Sequence, residues 1–142
     1  MPMSRKQKAD LLRTVGLFAG VSARSLGVIA DAAVDIAVPA GKHIVRQGQI
    51  GTGFYLVVSG KVRVTRGSET LATLGPGQFF GELSVLDQAP RVAHVIAEEP
   101  TVCLALASWD FVRIIERNPK IALGLLKIMA QRLRAAENHP RH

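Results

Sequence analysis

Cysteine is nearly missing from this sequence: Cys103 stands alone among 142 residues. A single thiol excludes an internal disulfide and any metal site built from several thiolates. It falls in the apolar run 101–106, where a free cysteine serves as a small buried hydrophobe, and a cytoplasmic setting is expected. Aromatic residues are scarce too, at 5%, too few for the stacking platforms that hold single-stranded nucleic acid. No apolar run is long enough to cross a bilayer. The basic N-terminus from Met1 to Lys8 leads into no apolar core with a cleavage site, so neither a membrane segment nor a secretory signal is expected. The glycines of 48–53 are not followed by Lys-Ser or Lys-Thr, which makes them a turn and not a nucleoside-triphosphate cradle. His43, His94, His139 and His142 lack metal-ligand spacing, and His94 reads as a half-buried strand histidine. Ser59 and Ser84 lack the flanks of a nucleophile elbow. No enzyme signature and no cofactor site emerges.

Acidic residues are also in deficit, 11 against 18 lysines and arginines, for a formal charge of +7. The basic residues are dispersed from Arg5 to Arg141 with acids between them, so no direct nucleic-acid binding is expected. A diffuse positive balance suits an anionic ligand or an acidic protein partner. With 48% hydrophobic and 20% charged residues, the chain has the makings of one folded domain spanning 1–142.

Helices are expected over 8–15 and over 22–35, the second capped by Ser22. A weak alternation over 34–38 stops at Pro39-Ala40-Gly41, and from there to 106 the sequence becomes short strands punctuated by glycine and proline: 42–46, 54–59, 61–66, 70–74, 93–97 and 101–106. Such spacing suggests a small antiparallel barrel or roll. Helices return over 108–138, with Ser108 as the expected N-cap and a break at Asn118-Pro119. The last helix carries two apolar rows. One is Ile121, Leu125, Ile128 and Ala135, interrupted by Arg132; the other is Ala122, Leu126, Met129, Leu133 and Ala136. A surface helix needs one row, so the second either covers a ligand, meets another subunit, or joins the first in one broad core face.

The segment 80–93 carries the chemistry. It sets Gly81-Glu82 and Pro90-Arg91 nine residues apart between strand-like flanks. A carboxylate accepts from sugar hydroxyls, a guanidinium fork grips phosphate oxygens, and a glycine lets backbone come close. The same two charges can instead form a loop-closing salt bridge, although such pairs are poor stabilisers when buried.

This segment resembles the phosphate-binding cassette of cyclic-nucleotide-binding domains, the family of catabolite-activator-type regulators, kinase regulatory subunits and nucleotide-gated channels. The resemblance extends upstream through residues 48–64 and through Leu74-Gly75-Pro76-Gly77-Gln78-Phe79-Phe80. It implies an α+β, mainly β fold: an eight-stranded antiparallel jelly-roll-like barrel (36–107), N-terminal helices (1–35) and two C-terminal helices (108–138). It also implies the ligand set Gly81, Glu82, Leu83, Ser84, Arg91, Val92 and Ala93. Glu82 would take the ribose 2′-hydroxyl, Arg91 the cyclic phosphate, and the backbone of Leu83 and Ala93 further phosphate oxygens, with a short helix at 84–86. Val64, Leu71 and Ala72 match base-pocket positions, and Arg132 matches an arginine that approaches the nucleotide.

Two departures bear on the base. Val92 stands where cyclic-GMP-selective members often have threonine, which tilts the expectation towards cyclic AMP, with cyclic GMP less favoured. Ala136 and Glu137 replace the hydroxyl residues that read adenine in catabolite activators. The resemblance implies a non-catalytic sensor that signals by movement of its C-terminal helix to a protein effector or within a homodimer. The alternatives are a regulatory module of a larger regulator, channel or enzyme, or a degenerate domain used for protein interaction.

Overall fold

A computed structural model describes residues 2–49, 53–81, 86 and 90–137, with 136 and 137 described by backbone alone. The chain enters through helix α1 (Arg5–Thr14), a 3-10 turn (Gly16–Phe18) and helix α2 (Ala23–Ala32). Helix α1 starts three residues before the expected position because Ser4 and Gln7 form a reciprocal capping box: the Gln7 N–H donates to Ser4 Oγ at 3.1 Å and the Ser4 N–H to Gln7 Oε1 at 2.8 Å. Ser22 caps α2 as expected, accepting from the Ser25 N–H at 3.1 Å. Helix α2 stops at Ala32, short of the expected 35, because Ala33 turns extended and Val34 already pairs in a strand.

The strands are β1 (Val34–Val38), β2 (His43–Val45), β3 (Gly53–Ser59), β4 (Val62–Arg66), β5 (Glu69–Leu74), β6 (Phe79–Phe80), β7 (His94–Ala97) and β8 (Thr101–Ala107). They form two antiparallel sheets of four strands each, ordered β1-β8-β3-β6 and β2-β7-β4-β5. The barrel expected from the sequence is here a pair of sheets; among the described residues no ladder joins one to the other. Strand β6 was invisible to periodicity, being only two residues long. Gly60 makes the turn between β3 and β4 at φ +91°, where a Cβ would stand 2.5 Å from Thr101 Oγ1, so only glycine fits.

The central strands β3 and β8 of the first sheet are covered on both faces, and side-chain alternation along them sorts residues between two cores. Phe54, Leu56, Leu104 and Leu106 face the helices and pack with Phe18, Leu26, Ile29, Phe111 and Ile121. Val57 and Cys103 point the other way, packing with Val45, Val62, Phe80 and Val95 between the sheets. The Phe54 and Phe111 rings stack with centroids 4.2 Å apart and planes 9° apart. Truncating such a fully buried ring typically costs ~3–5 kcal/mol.

Helix α3 (Ser108–Arg117) and helix α4 (Pro119–Glu137) close the chain. The N-cap of α3 is Ala107, not Ser108; the helix starts directly from the end of β8, which puts Ser108 inside its first turn. Asn118 leaves helical geometry at φ −134°, ψ 78°, and its Nδ2 donates to the Ile114 carbonyl at 2.9 Å. The two apolar rows of α4 part company. Ile121 and Leu125 are buried in the helix-side core, while Leu126 and Leu133 stay 63% and 62% exposed. One broad core face is thereby excluded.

Candidate functional site

A cavity of about 480 Å³ opens between β4, β5, β6 and the strand run leading into β7, a volume within the usual range for small-molecule sites. Its walls are mostly apolar: Val45, Val64, Leu71, Ala72, Leu74, Phe79, Phe80 and Val95. The charged residues that line it, among those described, are Arg91 and Arg132. An apolar box with two guanidinium groups and no carboxylate in its described wall is a place for an anion with an apolar body.

Arg91 is fixed at both ends. Its backbone N–H donates to the Gln49 carbonyl at 2.7 Å, and its own carbonyl accepts from the Gly48 N–H at 2.8 Å. Its side chain is buried; Nη1 donates to the Gly81 carbonyl at 2.9 Å and Nη2 to the Gly53 carbonyl at 2.7 Å. These two carbonyls orient the guanidinium fork. Gly81 is required for this arrangement. It sits at φ +93°, and a Cβ there would stand 2.7 Å from the Gly53 carbonyl oxygen and 2.9 Å from Arg91 Nη1.

Arg132 approaches from α4. Its Nη2 donates to the Phe79 carbonyl at 3.4 Å, and its Cζ lies 4.9 Å from the centre of the Phe79 ring, a cation–π contact. Ala135, one turn on, also lines the cavity. The C-terminal half of α4 therefore borders the cavity.

Eight of the expected site residues meet around this cavity: Gly81, Arg91, Val92, Ala93, Val64, Leu71, Ala72 and Arg132. Glu82, Leu83 and Ser84, and the expected helix at 84–86 apart from Leu86 itself, lie outside the described residues, as do the side chains of Ala136 and Glu137 and the histidines His139 and His142. Val92 lines the cavity while remaining 54% exposed. Sequence reasoning missed Val45, Leu74, Gln78, Phe79, Phe80, Val95 and Ala135. Inward alternation on β7 could have flagged Val95 beside Ala93; nothing local marks Gln78, whose Oε1 accepts from the Gly75 N–H at 2.8 Å. His94 is half-buried and, by strand alternation, faces away from the cavity that Ala93 and Val95 line.

Burial raises the Cys103 thiol to about 11, which keeps it protonated. No cluster of three or more potential metal ligands occurs among the described residues. None of their helices is long and apolar enough to cross a membrane.

Residues 35–118 match the family model of the cyclic nucleotide-binding domain. The chain belongs to this family. The cyclic nucleotide-binding domain described here is 48% identical over 104 residues to the cyclic AMP receptor protein of Thermus thermophilus, covering 70% of this chain and 48% of that protein. It is 34% identical over 140 residues to the CRP-like cAMP-activated global transcriptional regulator of Mycobacterium tuberculosis, covering 92% of this chain and 60% of that one. Among solved structures, the regulatory domain of Toxoplasma gondii PKA with cAMP superposes with a TM-score of 0.81 at 28% identity, covering 89% of this chain and 50% of that one. The chain thus spans roughly half of the curated relatives it matches, 48% of one and 60% of the other. These relationships place it among sensor and regulatory domains for cyclic nucleotides.

Proposed function

We propose that this domain, a single unit over 1–142, is a non-catalytic cytoplasmic sensor that binds cyclic AMP in preference to cyclic GMP. The observation that carries the reading is Arg91: a buried guanidinium on the wall of an apolar cavity, oriented by the Gly53 and Gly81 carbonyls. In this reading Arg91 holds the cyclic phosphate with backbone N–H groups of Leu83 and Ala93, Ser84 adjoins them, and Glu82 accepts from the ribose 2′-hydroxyl. The purine lies against Val64, Leu71 and Ala72. Val92, with no side-chain hydrogen bond to offer, gives guanine no partner at that point and so favours adenine. Arg132 meets the nucleotide from α4.

Signalling proceeds by movement of α4 about the Asn118-Pro119 junction as the cassette closes on the phosphate. A ligand shifts such an equilibrium only by its difference in affinity for the two states. Contact between Arg132 and the cavity wall supplies a point at which ligand and helix are coupled. The exposed row with Leu126 and Leu133 suits a protein effector or a second copy of the chain. The two sheets act as the jelly-roll-like barrel that holds this site.

A ligand of about 22 heavy atoms at roughly 0.3 kcal/mol per atom binds with ~7 kcal/mol, near ~10 µM. Calorimetric titration with cyclic AMP, cyclic GMP and 5′-AMP tests the proposal. Saturable binding of cyclic AMP, weaker for cyclic GMP and 5′-AMP and lost in Arg91→Ala, is the expected result. No heat and no thermal stabilisation with any nucleotide, on protein free of co-purified ligand, would overturn it.

A further inference from the structure

We infer that His94, which borders neither the cavity nor its contents, positions Arg91 for the phosphate by holding the strap of backbone at residues 47–49, so that ligand affinity falls when its imidazole gains a proton. The inference rests on the cyclic-nucleotide reading above and adds a control to that site.

The geometry forms a short chain of contacts. His94 Nδ1 accepts from the Gln47 N–H at 3.1 Å. The Gln47 side chain extends the tie, its Oε1 accepting from the Gly67 N–H in the β4–β5 turn at 3.1 Å. The next two residues bracket Arg91: the Gly48 N–H donates to its carbonyl at 2.8 Å, and its N–H donates to the Gln49 carbonyl at 2.7 Å. The bond from His94 therefore fixes the residue immediately before the pair that clamps the phosphate-binding arginine.

An acceptor nitrogen carries no hydrogen, so this bond needs the neutral imidazole, with its proton on Nε2. Protonation turns Nδ1 into a donor facing another donor, and the tie is lost. His43 on β2 meets His94 edge to face with ring centroids 5.2 Å apart, and Arg46 follows on the same segment. On β4, uncharged Thr65 is the cross-strand partner of His94. Arg66 comes next and donates to the Val92 carbonyl at 3.4 Å, with Glu69 of β5 opposite it. Proton uptake at His43 is depressed by desolvation first, then by Arg46 and then by His94.

A merely structural histidine would change stability and leave the pH profile of binding alone. The test is cyclic AMP titration of the full chain at about pH 8 and about pH 5.5, limits that bracket imidazole protonation, over which the cyclic phosphodiester and adenine keep their charge. Three variants accompany the wild type: His94→Asn, which offers a non-titrating acceptor in place of Nδ1, His94→Phe, which offers none, and His43→Gln. Wild type and His43→Gln should lose on the order of five- to tenfold in affinity at the lower pH, the size of one lost hydrogen bond. His94→Asn should match wild type at pH 8 and stay flat, and His94→Phe should bind weakly at both. A flat wild-type profile, or a slope that survives in His94→Asn, overturns the inference.

Amide spectra of the ligand-free chain supply a second readout. The Gln47, Gly48 and Arg91 resonances should titrate together in wild type and stand still in His94→Asn; amides that ignore the titration sink the proposal. Failure of cyclic AMP to bind wild type at pH 8 would instead overturn the sensor reading, and the amide titration would then decide the strap by itself.

Discussion

Arg91 and Gly81 are fitted to each other: Arg91 Nη1 donates to the Gly81 carbonyl at 2.9 Å, and a Cβ on residue 81 would stand at the same 2.9 Å from that nitrogen. Neither residue can change without disturbing the other.

Gly81→Ala forces a side chain into a left-handed conformation and against both Arg91 and the Gly53 carbonyl. Strain of this kind costs on the order of 1–3 kcal/mol. The urea midpoint should fall accordingly, and nucleotide affinity should fall with it because the guanidinium is pushed aside. A variant with full stability and affinity would show that Arg91 is not held this way.

Arg91→Lys keeps a positive charge but loses the fork that reaches the Gly53 and Gly81 carbonyls together. Unsatisfied buried acceptors cost ~1–3 kcal/mol of stability, and loss of paired contact to a phosphate should weaken binding roughly 10- to 100-fold. Chemical denaturation and calorimetry on one preparation separate the two effects.

Cys103 should resist thiol reagents in the native state. It is fully buried between the sheets and its thiol is raised to about 11, whereas reactivity needs an exposed thiolate. Labelling at neutral pH should proceed only as fast as the protein opens. Rapid stoichiometric labelling without loss of structure would contradict the packing.

Stability should decline with acidification, in part through His43. Its folded value lies below the ordinary 6.5, through desolvation, Arg46 and His94 in that order. The unfolded chain therefore takes up the proton first, and stability is lost as pH falls from the unfolded value down through the folded one. Melting temperatures between about pH 8 and about pH 5 should drop for wild type and drop less for His43→Gln. Equal slopes would remove His43 from the account.

Much of the fold was written in local pattern. Glycine and proline divided the strands, Ser22 marked α2, and Pro119 marked the break before α4. The rest depended on partners far away in sequence. Strand β6 has two residues, too few for any period, and exists because Tyr55 and Leu56 pair with Phe80 and Phe79. The start of α1 turned on a polar capping box instead of the apolar spacing that governs the helix interior. At the site, Arg91 could be read from its motif, but the carbonyls that aim it belong to Gly53 and Gly81 and carry no side-chain signal. The apolar rows of α4 looked equivalent in sequence, and only packing against the helix-side core distinguished Leu125 from Leu126.

Strand β6 places its two phenylalanines on opposite sides of the first sheet. Phe79 sits with Phe54 in the helix-side core and beneath Arg132, while Phe80 stacks on Tyr55 between the sheets, centroids 5.1 Å apart. Both residues also border the cavity. A rotation of this short strand about its own axis cannot carry one ring without the other. The dipeptide therefore gears one core to the other, as β3 and β8 also do, and its axle runs along the cavity wall.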